Sequence, residues 1–144
     1  MKKLVVIICL LFSFTITAQE WSSSFSDAVT KAKEQDKHLL LVFSGSDWCA
    51  PCIKLDQEIW QSSEFKKYAE KNLVLYKADF PRKKKNRLPS DLELANRELA
   101  NTYNQQGYFP FVLLLDKDKN ILSKTGYKNS SPSEYIKDLS TFVK

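Results

Sequence analysis

Leu39-Leu40-Leu41-Val42-Phe43, then Ser44-Gly45-Ser46-Asp47-Trp48, then Cys49-Ala50-Pro51-Cys52, then Ile53-Lys54-Leu55-Asp56 is the stretch whose reading decides the fold. The unbroken apolar run reads as a strand buried on both faces. A short polar turn follows, and the Cys-x-x-Cys stands where a helical pattern begins. Two cysteines three positions apart share a helix face, and their separation in a first turn is compatible with a disulfide. The free N–H groups and the positive end of a helix favour a thiolate there. In Cys-x-x-Cys sites of this kind the first thiol ionises well below a free cysteine, and the thiolate is the nucleophile of disulfide exchange. Cys49 is therefore expected to be the exposed attacker and Cys52, one turn deeper, the thiol that resolves the mixed disulfide. Pro51 falls inside the first turn, where its missing N–H is tolerated and its fixed φ stiffens the loop. Trp48 is placed to flank the sulfur and offer a partner an apolar surface.

At 144 residues the chain is long enough for one domain with a proper core. The 22 basic residues against 17 acidic ones give a formal charge of +5. Residues 1–18 read as a secretory signal peptide: Lys2-Lys3, an apolar run from Leu4 to Phe12, a more polar tail and a small residue, Ala18. The run is shorter than the roughly 20 residues of a membrane-spanning helix, so no span is expected after cleavage; the bland alternative is a retained N-terminal anchor. Removal of Lys2 and Lys3 lowers the surplus from +5 to +3, a mild balance that does not call for nucleic acid. Cys9 lies in the leader and is expected to be discarded with it. Cys49 and Cys52 then remain as a pair in a mature, exported chain, periplasmic or otherwise extracytoplasmic, which points to an oxidising compartment or a redox task. A disulfide closing so short a loop adds little stability through chain entropy, so a purely structural role is poorly motivated.

Residues 19–144 show no internal repeat. Trp21 to Phe25 reads as a polar lead-in, and Ser26 as the cap of a helix from Asp27 to about Gln35. After the cysteines, Ser62 or Ser63 restarts a helix that ends near Asn72. Leu73 to Tyr76 is a second buried strand, ended by Asp79. Phe80 to Pro89 is a loop, and Ser90 with Glu93 forms a capping box for a helix whose apolar positions include Leu92, Leu94, Leu99 and Tyr103. Phe111 to Leu115 is a third buried strand, joined by a polar turn to a more polar partner, Ile121 to Thr125. Ser131, Pro132 and Glu134 start the last helix, with Tyr135, Ile136, Leu139, Phe142 and Val143 inward. The simplest solution is α/β: a central mixed sheet, parallel in its early part, with helices on both faces.

Trp48-Cys49-Ala50-Pro51-Cys52 after an apolar strand resembles the active site of the thioredoxin superfamily, and Phe109-Pro110 ahead of the third strand resembles that family's cis-proline. The longer run from Ser44 to Cys52, with Lys54, Asp56, Trp60 and Phe65, is similar to exported thioredoxin-like proteins and to the C-terminal domain of membrane disulfide-interchange reductases. The resemblance covers most of Leu39 to Lys144. It implies a thioredoxin-like fold, a catalytic pair Cys49 and Cys52, a substrate groove shaped by Trp48, Pro51, Phe109 and Pro110, protein thiols or disulfides as partners, and no bound cofactor. Thioredoxin keeps a buried Asp where Phe43 stands here. The acid–base role on the second cysteine is thus empty or taken elsewhere, and Asp56, one helical turn beyond Cys52, is the preferred candidate; a solvated helix carboxylate is the plain alternative. The stretch between Cys52 and Pro110 is longer than in a minimal thioredoxin, with the excess expected in the basic loop and the start of the helix after it.

That loop carries Arg82-Lys83-Lys84-Lys85-Asn86-Arg87. A charge run is usually a solvated surface; the sharper reading is a dock for an acidic partner or a membrane surface, and the lack of interleaved aromatics argues against nucleic acid. His38 is the sole histidine, too few ligands for a closed zinc site. Two thiolates could hold Cu(I). Asp116 and Asp118 lack the glycine and closing glutamate of a calcium loop. The expected function is an exported thiol–disulfide oxidoreductase, of unread direction, acting on protein partners. The alternative is a non-catalytic binding module or copper-handling protein on the same fold, with no resident metal assigned.

Overall fold

The computed structural model describes residues 19–143. The leader read in residues 1–18, Cys9 included, lies outside the described residues. The order is α1 (Phe25–Glu34), β1 (His38–Ser44), α2 (Ala50–Leu55), α3 (Ser63–Asn72), β2 (Leu73–Asp79), α4 (Ser90–Tyr103), β3 (Phe111–Leu115), β4 (Ile121–Thr125) and α5 (Pro132–Ser140). A π-turn over Asp56–Trp60 extends α2, and a single 3-10 turn over Lys84–Asn86 sits in the basic loop.

The sheet runs β2-β1-β3-β4. β1 and β2 are parallel, while β3 is antiparallel to both β1 and β4. This is the mixed α/β sheet expected, with β1 central. Its apolar run is continuous because both faces are covered. Leu40 and Val42 point into one core with Leu55, Ile59, Trp60, Phe65, Tyr135 and Leu139. Leu39, Leu41 and Phe43 point into the other with Ala28, Ala32, Tyr76 and Leu99. In the first core the Trp60 ring lies 4.5 Å from Phe65 and 5.4 Å, edge-on, from Tyr135. Phe43 pairs with Phe111 across the sheet, so the start of β3 lies at the same end as the turn leaving β1. That register brings Pro110 to the cysteine end.

Several helix starts follow their sequence signals. The Ser62 hydroxyl accepts the Phe65 N–H at 3.2 Å, and Ser131 with Glu134 forms the reciprocal capping box, with Pro132 at the first helical position. Others differ. α1 begins earlier, because the Ser24 hydroxyl accepts the Asp27 N–H at 3.1 Å and Ser26 lies within the helix. Phe25 is thereby drawn in against Tyr76 and Tyr103. α4 has no box: its cap position is Pro89, and the Glu93 carboxylate is taken by Arg87 and Arg97 instead. Leu94, read as inward, is exposed. α5 stops at Ser140, leaving Phe142 exposed while Val143 packs on the core. The lead-in is less free than its polarity suggests, since Trp21 bridges to Leu75 at the edge of β2 and meets Trp60 edge-on.

Candidate active site

The turn that leaves β1 is built from short backbone bonds. The Cys49 N–H donates to the Gly45 carbonyl at 2.9 Å and the Trp48 N–H to the same oxygen at 3.3 Å. Ser46 fastens the turn to the end of β2, its N–H donating to Asp79 Oδ1 at 2.9 Å and its hydroxyl to Asp79 Oδ2. Gly45 is needed for closeness: a Cβ there would stand 2.3 Å from Trp48 Cε2. The indole lies across Gly45 and donates Nε1–H to the Phe80 carbonyl at 2.7 Å.

Cys49 is the cap residue of α2, with Pro51 in the first turn, and its Sγ accepts the Cys52 N–H at 3.3 Å. The two sulfurs form a disulfide, with the Cα atoms 5.2 Å apart. Cys49 is 4% exposed and Cys52 3%. The exposed attacker expected at Cys49 is thus not exposed in the disulfide form. Its backbone is held down on Gly45 and its sulfur turns inward to Cys52, while Ala50 and Pro51 beside it are open to solvent.

Facing the turn, the Phe109–Pro110 peptide is cis. Phe109 meets Trp48 edge-on at 5.4 Å and Phe80 at 5.5 Å. The basic loop closes on the same aromatics. Its Arg82 guanidinium lies 3.7 Å over the Trp48 ring. Asp47 accepts the N–H groups of Arg82 and Lys83 at 2.9 and 3.0 Å and the Asn86 amide at 2.9 Å. These donors, the Arg82 N–H above all, hold the Asp47 carboxyl below the usual aspartate range.

Phe43 is fully buried and stacks on Phe80 and Phe111, so the position of the buried acid is filled by an aromatic layer. Asp56 is half-buried, its side chain 35% exposed. Its Oδ1 pairs with Lys77 Nζ at 3.0 Å, and that ammonium also lies 4.7 Å over the Trp21 ring. The Asp56 N–H donates to the Cys52 carbonyl, which fixes it one turn beyond the second thiol. Among the described residues no group of three or more His, Cys, Asp and Glu side chains is arranged to hold a metal, and no helix is long and apolar enough to cross a membrane.

The profile of the thioredoxin-like family matches residues 20–117. The chain belongs to the thioredoxin-like family. It is 34% identical over 125 residues to the disulfide bond reductase DsbH of Chlamydia pneumoniae, covering 87% of this chain and 73% of that one. A solved structure of a DsbH oxidoreductase superposes with a TM-score of 0.80 at 32% identity, over 88% of this chain and 85% of its own. The oxidised C-terminal domain of DsbD from Neisseria meningitidis shares the fold, with a TM-score of 0.56 at 18% identity over 81% of this chain and 90% of its own. Family, fold and cysteine pair make the protein a thiol–disulfide oxidoreductase.

Of the residues singled out in the sequence, Trp48, Cys49, Pro51, Cys52, Phe109 and Pro110 fall at one end of the sheet, and Asp56 lies one turn along the helix. Sequence reasoning missed the contacts that Asp47, Asp79 and Arg82 make around the cysteine turn. Asp47 and Asp79 are ordinary acids near a turn until their partners, more than thirty positions away, are known. The signal available for Arg82 was its place at the head of a basic run in an extended loop.

Proposed function

We propose that the protein is exported and reduces disulfides in other proteins, with Cys49 as the attacking thiolate and Cys52 as the resolving thiol. The reading is carried by one observation: Cys49 Sγ is the acceptor at the start of α2, 3.3 Å from the Cys52 nitrogen. In the reduced protein the same N–H would stabilise negative charge on that sulfur. The Cys49 thiolate displaces one sulfur of the substrate disulfide, forming a mixed disulfide and releasing a substrate thiolate. Cys52 loses its proton and attacks Cys49 Sγ, forming the intramolecular disulfide and releasing the second substrate thiolate. The substrate gains two electrons and two protons, and an external dithiol must return them to the enzyme. Trp48, Pro51, Phe109 and Pro110 shape the groove that holds the substrate chain.

Asp56 is the carboxylate proposed to take and return the Cys52 proton, with Lys77 holding it in position. The reducing direction is supported by similarity to a protein named as a disulfide bond reductase, and export by the charged and apolar pattern of residues 1–18. Insulin reduction with dithiothreitol as the electron donor tests the chemistry: the wild-type protein should accelerate precipitation of the insulin B chain, and Cys49→Ser should abolish the acceleration. Retention of full activity in Cys49→Ser would overturn the assignment. N-terminal sequencing of the protein recovered from the producing cell tests the leader, with a start after Ala18 expected.

A further inference from the structure

We propose that the Phe80–Pro89 loop is a substrate-reading subsite, selecting protein disulfides whose neighbouring residues are aspartate or glutamate. The inference rests on Cys49 as the attacking thiol and adds the substrate class. A cleft of about 540 Å³ opens beside Trp48, with Phe80, Phe109, Arg82, Lys83, Lys84 and Arg87 among its lining residues. Trp48 directly precedes Cys49. The cleft shares Trp48 and Phe109 with the groove proposed for the substrate chain, so residues neighbouring a partner cysteine on Cys49 come within reach of the loop.

The loop backbone is held in place, and the Arg82 guanidinium with it. Asp47, two residues before Cys49, grips the Arg82 and Lys83 N–H groups and the Asn86 amide. The indole binds the Phe80 carbonyl and carries the Arg82 guanidinium on its face. A merely solvated loop has no need of anchors shared with the cysteine turn. The cleft also carries a positive surplus, five basic lining residues against Asp79 and Glu93. Glu93 is engaged by Arg87 and Arg97, and Asp79 by Ser46. Among the described residues Arg82, Lys83, Lys84 and Lys85 make no ion pair. An indole-held guanidinium and exposed lysines around a concave, aromatic-walled cleft suit a carboxylate-bearing peptide better than a flat lipid surface.

The test uses two disulfide peptides that differ only at two positions flanking one cysteine, Asp and Glu in one, Asn and Gln in the other. At low ionic strength the wild-type protein should reduce the acidic peptide with a kcat/KM about fivefold higher, the scale of two exposed ion pairs. The preference should fade towards one near 1 M salt, where charges are screened within ~3 Å. The double substitution Lys83→Gln/Lys84→Gln should remove most of the preference, and Lys83→Glu/Lys84→Glu should invert it. The wild-type salt dependence tests the idea even if a variant folds poorly. Equal rates on both peptides overturn the proposal and leave the oxidoreductase reading standing, whereas no turnover of either peptide overturns both. Equal rates together with binding of vesicles rich in phosphatidylglycerol, lost in Lys83→Gln/Lys84→Gln, would assign the loop to membranes instead.

Discussion

Gly45→Ala tests how tightly the cysteine turn is assembled. The new methyl would stand 2.3 Å from Trp48 Cε2 and 2.6 Å from both Cζ2 and Nε1, far inside van der Waals contact. The obstacle is a rigid ring, fixed by its bond to the Phe80 carbonyl and covered by Arg82. Either the turn opens or the indole leaves its place. Overpacking of this kind costs about 1–3 kcal/mol, and loss of the indole hydrogen bond adds about 1 kcal/mol. For a domain of this size each kcal/mol lowers Tm by about 3–5 °C, so a drop of about 10 °C is expected by near-ultraviolet circular dichroism, with an altered tryptophan signal and slower insulin reduction. Trp48→Ala removes the obstacle. Gly45→Ala should therefore cost far less in the Trp48→Ala background, giving a coupling energy of about 2 kcal/mol in the double-mutant cycle. A Gly45→Ala protein that melts with the wild type and keeps its tryptophan spectrum would refute the close approach of Gly45 and Trp48.

Asp47→Ala should free the basic loop, read as faster tryptic cleavage after Arg82 to Lys85 at neutral pH; wild-type resistance in the variant would count against the anchor. Because the Asp47 carboxyl ionises below the ordinary aspartate range in the fold, its contribution is complete above that range and is lost as pH falls through the depressed folded value. Trp48 fluorescence should therefore hold steady from about pH 8 to pH 5 and change only in stronger acid. Asn96→Leu strands the buried Tyr76 hydroxyl, which donates to Asn96 Oδ1 at 2.6 Å, and should cost about 2–3 kcal/mol in urea unfolding, with part recovered by adding Tyr76→Phe. Asp56→Asn should slow resolution of the mixed disulfide by about a hundredfold while leaving the first attack unchanged, as measured by rapid acid quench; equal slowing of both steps would remove Asp56 from the proton path.

The frame of the fold was legible because its signals are local. The Leu39–Phe43 run, unbroken, apolar and short, reads as a doubly covered strand, the Ser131-Pro132-Ser133-Glu134 pattern contains its own partners, and the hairpin turn lies between adjacent strands. Where a side chain had two offers, the local reading failed. Glu93 could cap its own helix or answer Arg87 and Arg97, and the guanidinium groups won. Ser24 and Ser26 are equivalent as caps until Phe25 is known to pack between Tyr76 and Tyr103. The site was legible in its cysteines, Trp48 and Pro110, which one motif and one resemblance connect. Its second layer was not, because Asp47 with Arg82, Ser46 with Asp79, and Asp56 with Lys77 are joined only after β1 and β2 are laid side by side. The burial of Cys49 was likewise invisible, since it depends on which way the sulfur turns.

The bridge between Trp21 and Leu75 has a further consequence. The flanks of the sheet are β2 and β4, and an open flank is a template on which a foreign strand can grow. On β2 the lead-in occupies the carbonyl of Leu75 through the Ser22 N–H at 2.8 Å. On β4 the pairing slips at Leu114/Leu115 and Lys124 stands out to solvent. Both flanks are thus poor templates for growth of a foreign strand into an aggregate.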